Sequence, residues 1–410
     1  MADYRYMILG GGIAAGYAAR EFVKQGIAAE EVCIISADNT LPYDRPSLSK
    51  SYLIGKKEKN DILINSPEFY KNNGIQVLLE TVVGRVDTDQ KLLYSENGTF
   101  GYEKLLIATG ARVRKFRTPG ADLAGIHYLR RLSNSQTIRE AAVQGKQAVV
   151  IGGSFIGMEV AASLRMRGLE VTQVFMEPRI WEPQFTPEMS EFFEGYFRDK
   201  GVNFVPGELV AAFEGESGHV NAVVLESGKR LPAELVVAGI GVIPNTEIFA
   251  NTPLIINNGI LVNQYLETNV PDVFAAGDVA RYHDVIFNSE QRFEHWDNAA
   301  AQGSHTARGM LGQRETFKHV PYFFSDIFDL SYEYWGNNTG AEAVVYRGDV
   351  NDGKFSTWWL KGGRLIAAFV MNRPDEERDL AEQLIMSKDQ VSKGFLADEQ
   401  HPVHKEIARN

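Results

Sequence analysis

Two glycine-rich segments have the residue types and spacing that bind phosphate groups. The first, Gly10-Gly11-Gly12-Ile13-Ala14-Ala15, follows a G-x-G-x-x-A pattern. Gly10 permits a tight turn, Gly12 lets a pyrophosphate approach the backbone, and Ala15 lets a helix pack closely on a strand. Asp38 follows the next predicted strand and is placed to accept hydrogen bonds from a ribose. This segment therefore predicts a dinucleotide site.

The second segment, Gly152-Gly153-Ser154-Phe155-Ile156-Gly157, repeats the pattern with one change. Ser154 replaces the middle glycine, and its Cβ would crowd a pyrophosphate. Two outcomes are open: weaker binding, or a Ser154 hydroxyl that donates to the phosphate. Glu177 ends the next predicted strand, where a carboxylate accepts a hydrogen bond from a ribose 2′-OH and repels a 2′-phosphate. Arg179, two residues further on, would weaken that preference.

The elements that must position these residues follow from the apolar pattern. The first glycine turn lies between a predicted strand (residues 4–9) and a predicted helix (residues 13–25). The second lies in a unit of the same pattern that runs from Gln147 to Glu177 and contains a predicted helix at residues 155–167. Buried parallel strands are expected at 104–110, which ends in Ala108-Thr109-Gly110, at 234–241, which ends in Gly241, and at 272–277, which ends in Gly277 before Asp278.

The residue pattern of the sequence changes near residue 321. Aromatic alternation fills 322–335, and strands 354–360 and 364–371 flank Lys361-Gly362-Gly363, a hairpin signal. We therefore predict an α/β protein with two Rossmann-like dinucleotide-binding domains and a C-terminal α+β interface domain. The predicted boundaries are 1–112 with 245–320 for the first domain, 113–244 for the second and 321–410 for the third.

Composition excludes several classes of function. The 410 residues carry 42 basic and 53 acidic side chains, a net charge of −11, so nucleic acid is not an expected partner. No apolar run reaches membrane-spanning length and no signal-peptide pattern is present, so we expect a cytoplasmic protein that does not enter a membrane. Cys33 is the one cysteine, which excludes a catalytic dithiol within the chain; its β-branched neighbours favour a buried structural thiol.

Together the motifs resemble those of the two-dinucleotide-domain flavoprotein reductases, and within them the ferredoxin and rubredoxin reductase group, which includes apoptosis-inducing-factor-like proteins and monodehydroascorbate reductases. The resemblance covers residues 4 to 300. It rests on both glycine-rich segments and on three further runs: Pro42-Tyr43-Asp44-Arg45-Pro46-Ser47-Leu48-Ser49-Lys50, Ala108-Thr109-Gly110, and Thr268-Asn269-Val270-Pro271-Asp272-Val273-Phe274-Ala275-Ala276-Gly277-Asp278.

The resemblance implies that the first unit binds FAD and the second a nicotinamide dinucleotide. It places Asp278 on the ribityl chain, with Arg45 and Lys50 beside the flavin and its pyrophosphate. Lys50 stands where disulfide reductases carry a redox cysteine, and the resemblance pairs it with Glu159 near the flavin. These two are the predicted catalytic residues. Glu177 then favours NADH, with NADPH still possible, and no metal is predicted.

The run Glu294-His295-Trp296-Asp297-Asn298 precedes a helix whose N-terminus, by the same resemblance, faces the flavin. Trp296 either stacks near the ring or packs in the core. His295 and Trp296 are predicted to lie among the FAD-binding residues, with His295 in a structural role rather than as a proton carrier. The roles of Phe324 and Trp335 stay open, because an aromatic residue at either position also fits a core.

Three functions are compatible with this resemblance. A Phe-Asp-Leu-Ser run at 328–331 favours reduction of a small-molecule radical in the manner of monodehydroascorbate reductases. A ferredoxin or rubredoxin reductase, acting on an iron–sulfur protein, needs a basic docking surface, which Arg112, Arg114, Lys115 and Arg117 could supply. An apoptosis-inducing-factor-like binding flavoprotein is the third. The sequence does not specify the oligomeric state.

Overall fold

A computed structural model describes residues 2–27 and 30–400. Met1 and residues 401–410, which begin and end the predicted domains, lie outside the described residues. The chain divides into two compact units. The first consists of Met1–Arg45, Lys59–Arg112 and Val242–Pro321, and the second of Pro46–Glu58, Val113–Gly241 and Tyr322–Asn410. The three-domain division stays a prediction, and segment 46–58 groups with the second unit instead of the first.

The helices and strands are as follows. The strands are β1 (Ala2–Leu9), β2 (Val32–Ile35), β3 (Gln76–Leu78), β4 (Val83–Asp87), β5 (Leu92–Ser95), β6 (Gly98–Ile107), β7 (Ala111–Val113), β8 (Ile126–Tyr128), β9 (Gln147–Ile151), β10 (Glu170–Phe175), β11 (Val202–Pro206), β12 (Val210–Glu216), β13 (His219–Leu225), β14 (Arg230–Pro232), β15 (Leu235–Ala238), β16 (Val242–Pro244), β17 (Ile260–Val262), β18 (Val273–Ala275), β19 (Ala280–Asp284), β20 (Ser289–Gln291), β21 (Tyr322–Ile327), β22 (Leu330–Gly336), β23 (Ala343–Asp349), β24 (Lys354–Lys361) and β25 (Arg364–Met371). The α-helices are α1 (Ile13–Lys24), α2 (Pro67–Asn72), α3 (Leu132–Ala141), α4 (Phe155–Met166), α5 (Pro187–Asp199), α6 (Trp296–Met310), α7 (Asp375–Ser387) and α8 (Lys393–Ala397).

The first unit is built on a sheet with the order β3-β2-β1-β6-β5-β4, with β18 beside β6. Strands β3, β2, β1, β6 and β18 are parallel, so their carboxyl ends meet at one edge. Helices α1 and α6 pack against each other. A Cβ on Gly303 would lie 2.2 Å from the Ala14 carbonyl oxygen, so only glycine permits this approach.

The second unit contains a parallel sheet, β11-β10-β9-β15-β8, a meander, β12-β13-β14, and an antiparallel sheet, β21-β22-β25-β24-β23. The predicted hairpin is present: Gly362 and Gly363 have φ of +54° and +74° and join β24 to β25, as a two-residue turn with two positive φ angles requires. The antiparallel sheet packs on residues from the loop before α5 and from α5 itself through rings in mutual contact: Trp181, Phe185, Phe193, Tyr332 and Phe369.

Both predicted strand–turn–helix units are present with nearly the predicted bounds, which confirms the α/β prediction. Helix α1 ends at Lys24 and α4 at Met166, each one residue before its expected end. Within the described residues, no helix has the length and apolar character needed to cross a membrane.

Candidate functional site

The first glycine-rich turn lies at the carboxyl edge of the first sheet. Gly10 has φ +125°, and a Cβ there would lie 2.1 Å from the Ala108 carbonyl oxygen, so the turn tolerates only glycine. A Cβ on Gly12 would meet only the Arg45 guanidinium, at 3.9 Å. Gly12 is the N-cap of α1, and because it has no side chain it leaves the first backbone N–H groups of the helix without a cap. The first turn of α1 contains no acidic residue. Free N–H groups beside a guanidinium are a fitting place for a diphosphate.

Asp38 follows β2 at the same edge. Its carboxylate accepts from the Tyr43 hydroxyl at 3.1 Å and is half-buried. After β6, Thr109 Oγ1 donates to the Asn245 carbonyl and Asn245 Nδ2 donates to the Thr109 carbonyl, both at 2.9 Å. These bonds tie the Ala108-to-Gly110 turn to Asn245, and the close approach of Gly10 to the Ala108 carbonyl holds the ends of β1 and β6 together. With the end of β2, three strand ends meet where a dinucleotide would lie.

Gln302 is a residue that the sequence reasoning missed. It is fully buried on α6, and its Oε1 accepts from the Gly277 backbone N–H at 2.8 Å, which anchors the turn that carries Asp278. No sequence pattern points to this role of Gln302, because Gln302 and Gly277 lie 25 residues apart on different elements. Gln302 therefore positions the backbone next to Asp278.

His295 and Trp296 begin α6. Burial lowers the pKa of His295 to about 4, although Asp278 and Asp297 act in the opposite direction. A neutral imidazole at pH 7 fits the structural role predicted for it. Trp296 is half-buried and meets the Tyr17 ring edge-on, with centroids 5.8 Å apart.

The second glycine-rich turn has the same design in the second sheet. Gly152 has φ +120°, and a Cβ on Gly157 would lie 2.1 Å from the Gly152 carbonyl oxygen, so α4 packs tightly against the turn. Ser154 is the N-cap of α4, but its side chain makes no capping hydrogen bond and is exposed. The hydroxyl is thus not used by its own helix, which fits donation to a phosphate.

The other residues predicted for the second nucleotide lie on the same unit. Glu177 is half-buried two residues after β10. Gly241 follows β15, has φ +91°, and accepts from the Arg114 backbone N–H at 2.9 Å. Ile156 is 44% exposed, whereas Phe155 packs on Phe323 with ring centroids 4.2 Å apart.

Lys50 and Glu159 are brought together within the second unit. Lys50 Nζ lies 2.9 Å from Glu159 Oε1, and the two side chains are 12% and 9% exposed. Ser325 Oγ donates to the same oxygen at 2.6 Å, and Ser49 Oγ donates to Oε2. Burial and then the neighbouring Glu159 carboxylate raise the pKa of Tyr332 well above its ordinary value.

The sequence reasoning missed Ser49 and Ser325. They lie 110 and 166 residues from Glu159 along the chain, so no spacing pattern links them. Lys50 also lies 5.3 Å from the centroid of the Phe324 ring, which is 37% exposed. Trp335 is buried, and its ring lies 5.2 Å from that of Tyr322 between centroids, which fits a residue of the core.

Cys33 is fully buried in β2, and burial raises the pKa of its thiol to about 12. A thiol that stays protonated at neutral pH is a poor nucleophile. With one cysteine in 410 residues, the chain cannot form an internal redox disulfide.

Two strand–turn–helix units, each followed by an acidic residue and the first with a guanidinium at its glycine turn, form the arrangement expected of a flavin-dependent pyridine nucleotide oxidoreductase. The family model for pyridine nucleotide-disulphide oxidoreductases matches residues 4–303, and a reductase C-terminal model matches residues 322–407. The chain therefore belongs to the pyridine nucleotide-disulphide oxidoreductase family, and its cofactors are FAD and NAD(P)H. It is an enzyme, and its single cysteine leaves no partner for a redox disulfide within the chain.

Known proteins are similar to this chain over nearly its whole length. Monodehydroascorbate reductase 4, peroxisomal, of Arabidopsis thaliana is 39% identical, with 94% of this chain and 83% of that protein covered. The monodehydroascorbate reductase of Pisum sativum is 37% identical over 92% and 93%. Among solved structures, a covalent putidaredoxin reductase–putidaredoxin complex has a TM-score of 0.94 at 31% identity, with 100% of this chain and 99% of that chain covered. A ferredoxin reductase from Rhodopseudomonas palustris has a TM-score of 0.93 at 32% identity, over 98% and 99%.

Proposed function

We propose that this enzyme oxidises NADH and delivers electrons one at a time to a small organic radical of the monodehydroascorbate type. The observation that carries the proposal is 39% identity to a monodehydroascorbate reductase over 94% of the chain. When bound, FAD supplies the conversion of a two-electron donor into single electrons. The chain's own residues bind the two cofactors and fix the charges around them.

Several of the residues predicted from the sequence would have a defined part in this function. The Gly12 turn, the α1 N-terminus and Arg45 would hold the FAD diphosphate, Asp38 its ribose and Asp278 its ribityl chain. Ser154 and the α4 N-terminus would hold the diphosphate of NADH. The Lys50 ammonium, kept in place by Glu159, would provide positive charge for the developing negative charge of the reduced ring. Ser49 and Ser325 position Glu159.

The electron acceptor can be tested by steady-state NADH oxidation with three acceptors at equal concentration: the ascorbate radical, a ferredoxin coupled to cytochrome c, and ferricyanide. We expect a higher kcat/KM with the ascorbate radical than with ferredoxin. Activity with ferricyanide and ferredoxin but none with the radical would contradict the proposed acceptor while leaving the NADH oxidoreductase activity supported. No NADH oxidation with any acceptor would reject the whole proposal.

A second candidate, reduction of an iron–sulfur protein, is favoured by one observation. Arg112, Arg114, Lys115 and Arg117 are all exposed, although Arg112 is paired with Glu247. An acidic redox protein attracted by these cations would associate more slowly as salt rises. The ferredoxin arm of the assay, repeated at several salt concentrations, therefore measures this candidate directly.

The preference for NADH over NADPH rests on Glu177. A 2′-phosphate facing this carboxylate meets like charge and loses the hydrogen bond of a 2′-OH, so we expect kcat/KM to favour NADH by about ten- to hundredfold. Glu177→Ala should reduce the ratio, mainly by weakening NADH. Ferricyanide serves as the common acceptor in both measurements. A ratio that is unchanged in Glu177→Ala would show that Glu177 does not meet the ribose.

The cytoplasmic location belongs to this proposal and rests only on the sequence-based prediction. Three of the similar proteins carry names that place them in peroxisomes. Fractionation of cells that express the chain with its native termini tests the location.

A further inference from the structure

Arg179 is a cation two residues beyond Glu177, but its guanidinium is bound inside its own loop. Nη1 donates to the Phe185 carbonyl at 2.8 Å and to Ser190 Oγ at 3.2 Å. Nη2 lies 3.6 Å from Glu182 Oε1. The side chain is only 24% exposed. The positive charge that could attract a 2′-phosphate is therefore engaged with other partners.

The acceptors that hold Arg179 are themselves fixed. Phe185 is buried, and its ring contacts Trp181, whose backbone N–H donates to the Gly153 carbonyl at 3.1 Å. Ser190 is buried in the first turns of α5 and donates to the Ile180 carbonyl at 2.8 Å. Because the loop is anchored at both ends, a 2′-phosphate would have to draw the guanidinium away from a preformed set of partners.

Among the hydrogen-bond and ion-pair partners that hold Arg179 in the described residues, Glu182 is the charged one, and Glu188 on α5 also interacts with this guanidinium electrostatically. Phe185 and Ser190 offer neutral acceptors, which compete weakly with a phosphate, whereas a carboxylate neutralises the guanidinium. Glu177, Arg179 and Glu182 contribute a formal net charge of −1 to the segment that follows β10. A 2′-phosphate bound beside this segment would bring further negative charge.

We propose that Glu182 is a second determinant of NADH specificity that acts through Arg179, by keeping this guanidinium from a 2′-phosphate. The inference rests on the proposed use of NADH and adds a residue to its selection. Glu177 disfavours the phosphate directly. Glu182 removes the cation that would otherwise compensate.

The test measures binding to the FAD-loaded enzyme without turnover. Isothermal titration with adenosine 2′,5′-bisphosphate and with 5′-AMP gives an affinity ratio that reports only the 2′-phosphate. We expect Glu182→Gln to shift this ratio toward the bisphosphate by about two- to fivefold, the range for a partly exposed ion pair. Adding Arg179→Gln should abolish that gain. Glu191→Gln, which neutralises an exposed carboxylate on α5, is the matched control and should leave the ratio unchanged.

Three results would overturn the proposal: an unchanged ratio in Glu182→Gln, a gain that survives in Glu182→Gln/Arg179→Gln, or an equal gain in Glu191→Gln. If the double variant fails to fold, the salt dependence of the gain in Glu182→Gln is measured instead. A gain due to a guanidinium–phosphate contact falls between about 0.05 and 0.5 M KCl, and a gain that stays constant contradicts the proposal. Failure of the proposed function would instead appear as absent NADH oxidation, which these binding measurements do not require.

Discussion

Glu159 is a buried carboxylate that receives hydrogen bonds from one ammonium and two hydroxyls. A buried ion pair gains stability only when its remaining lone pairs are also satisfied, and Ser49 and Ser325 meet that condition. Three side chains, Ser49, Glu159 and Ser325, thus hold Lys50 in one orientation. Such a network is expected if the position of the Lys50 charge matters for the reaction.

We predict that Lys50→Met lowers the free energy of unfolding by about 2–4 kcal/mol, because it leaves the Glu159 carboxylate buried without its cation. The same variant should slow NADH-dependent flavin reduction by about tenfold or more, the range for loss of a preorganised charge. Urea unfolding and stopped-flow absorbance at the flavin band measure the two effects.

The double variant Lys50→Met/Glu159→Gln separates stability from catalysis. A glutamine carries no charge, and its side-chain oxygen can accept from one serine hydroxyl while its NH2 group donates to the other. Most of the lost stability should therefore return. The rate of flavin reduction should not return. Recovery of both quantities would mean that the pair is only structural.

At the scale of elements, the two strand–turn–helix units were predictable because glycine turns have few sequence solutions. Gly10 and Gly152 need positive φ, and Ala15 and Gly157 need small side chains, so the pattern is local. The hairpin at Gly362–Gly363 was predictable for the same reason. Ser325, Ser49 and Gln302 were not, because each meets its partner through tertiary packing and leaves no periodic signal.

The grouping of segment 46–58 with the second unit was also beyond local reasoning. Ser135 Oγ donates to the Leu48 carbonyl and Ser163 Oγ donates to the Ser49 carbonyl, both at 2.6 Å. Arg139 is paired with Glu58 at 2.9 Å. These contacts join residues more than 80 positions apart, since the nearest pair is separated by 81 residues.

Two glycines in equivalent units should respond differently to alanine. Gly12→Ala adds a methyl that meets only Arg45 at 3.9 Å, so the fold should be kept while the methyl blocks the pyrophosphate, and FAD affinity should fall by about tenfold or more. Gly157→Ala forces a Cβ to within 2.1 Å of a carbonyl oxygen and should cost about 1–3 kcal/mol of stability.

Bound flavin absorbance and thermal melting distinguish these outcomes. Gly84→Ala is the control, because a Cβ there has nothing within 4 Å. If Gly12→Ala retained FAD with wild-type affinity, the diphosphate would not approach this turn.

At the scale of the whole molecule, the net charge of −11 is compatible with a small-molecule acceptor and does not favour an acidic protein partner. Charge also determines how the protein responds to acid. Burial lowers the pKa of His295 to about 4 and lowers the pKa values of His305 and His127. Each of these histidines prefers to be neutral in the folded state.

The sign of the resulting pH dependence follows from proton binding. Between about pH 6.5 and 4 the unfolded chain binds a proton at His295 that the folded protein does not, so the free energy of unfolding falls as the pH falls through this window. The full effect of His295 is about 3 kcal/mol, and His305 adds to it with the same sign. We therefore expect the protein to lose stability, and FAD with it, on mild acidification.

Removing the titrating group tests this assignment. His295→Gln should flatten the slope of unfolding free energy between about pH 6.5 and 4, even if it lowers stability at pH 7, because glutamine binds no proton in the unfolded chain. Urea unfolding at a series of pH values gives the slope for each variant. His219→Gln, at an exposed position at the start of β13, is the control and should keep the wild-type slope. A slope in His295→Gln equal to that of the wild type would show that acid acts on other groups, with His305 the next to replace because its burial gives the same sign.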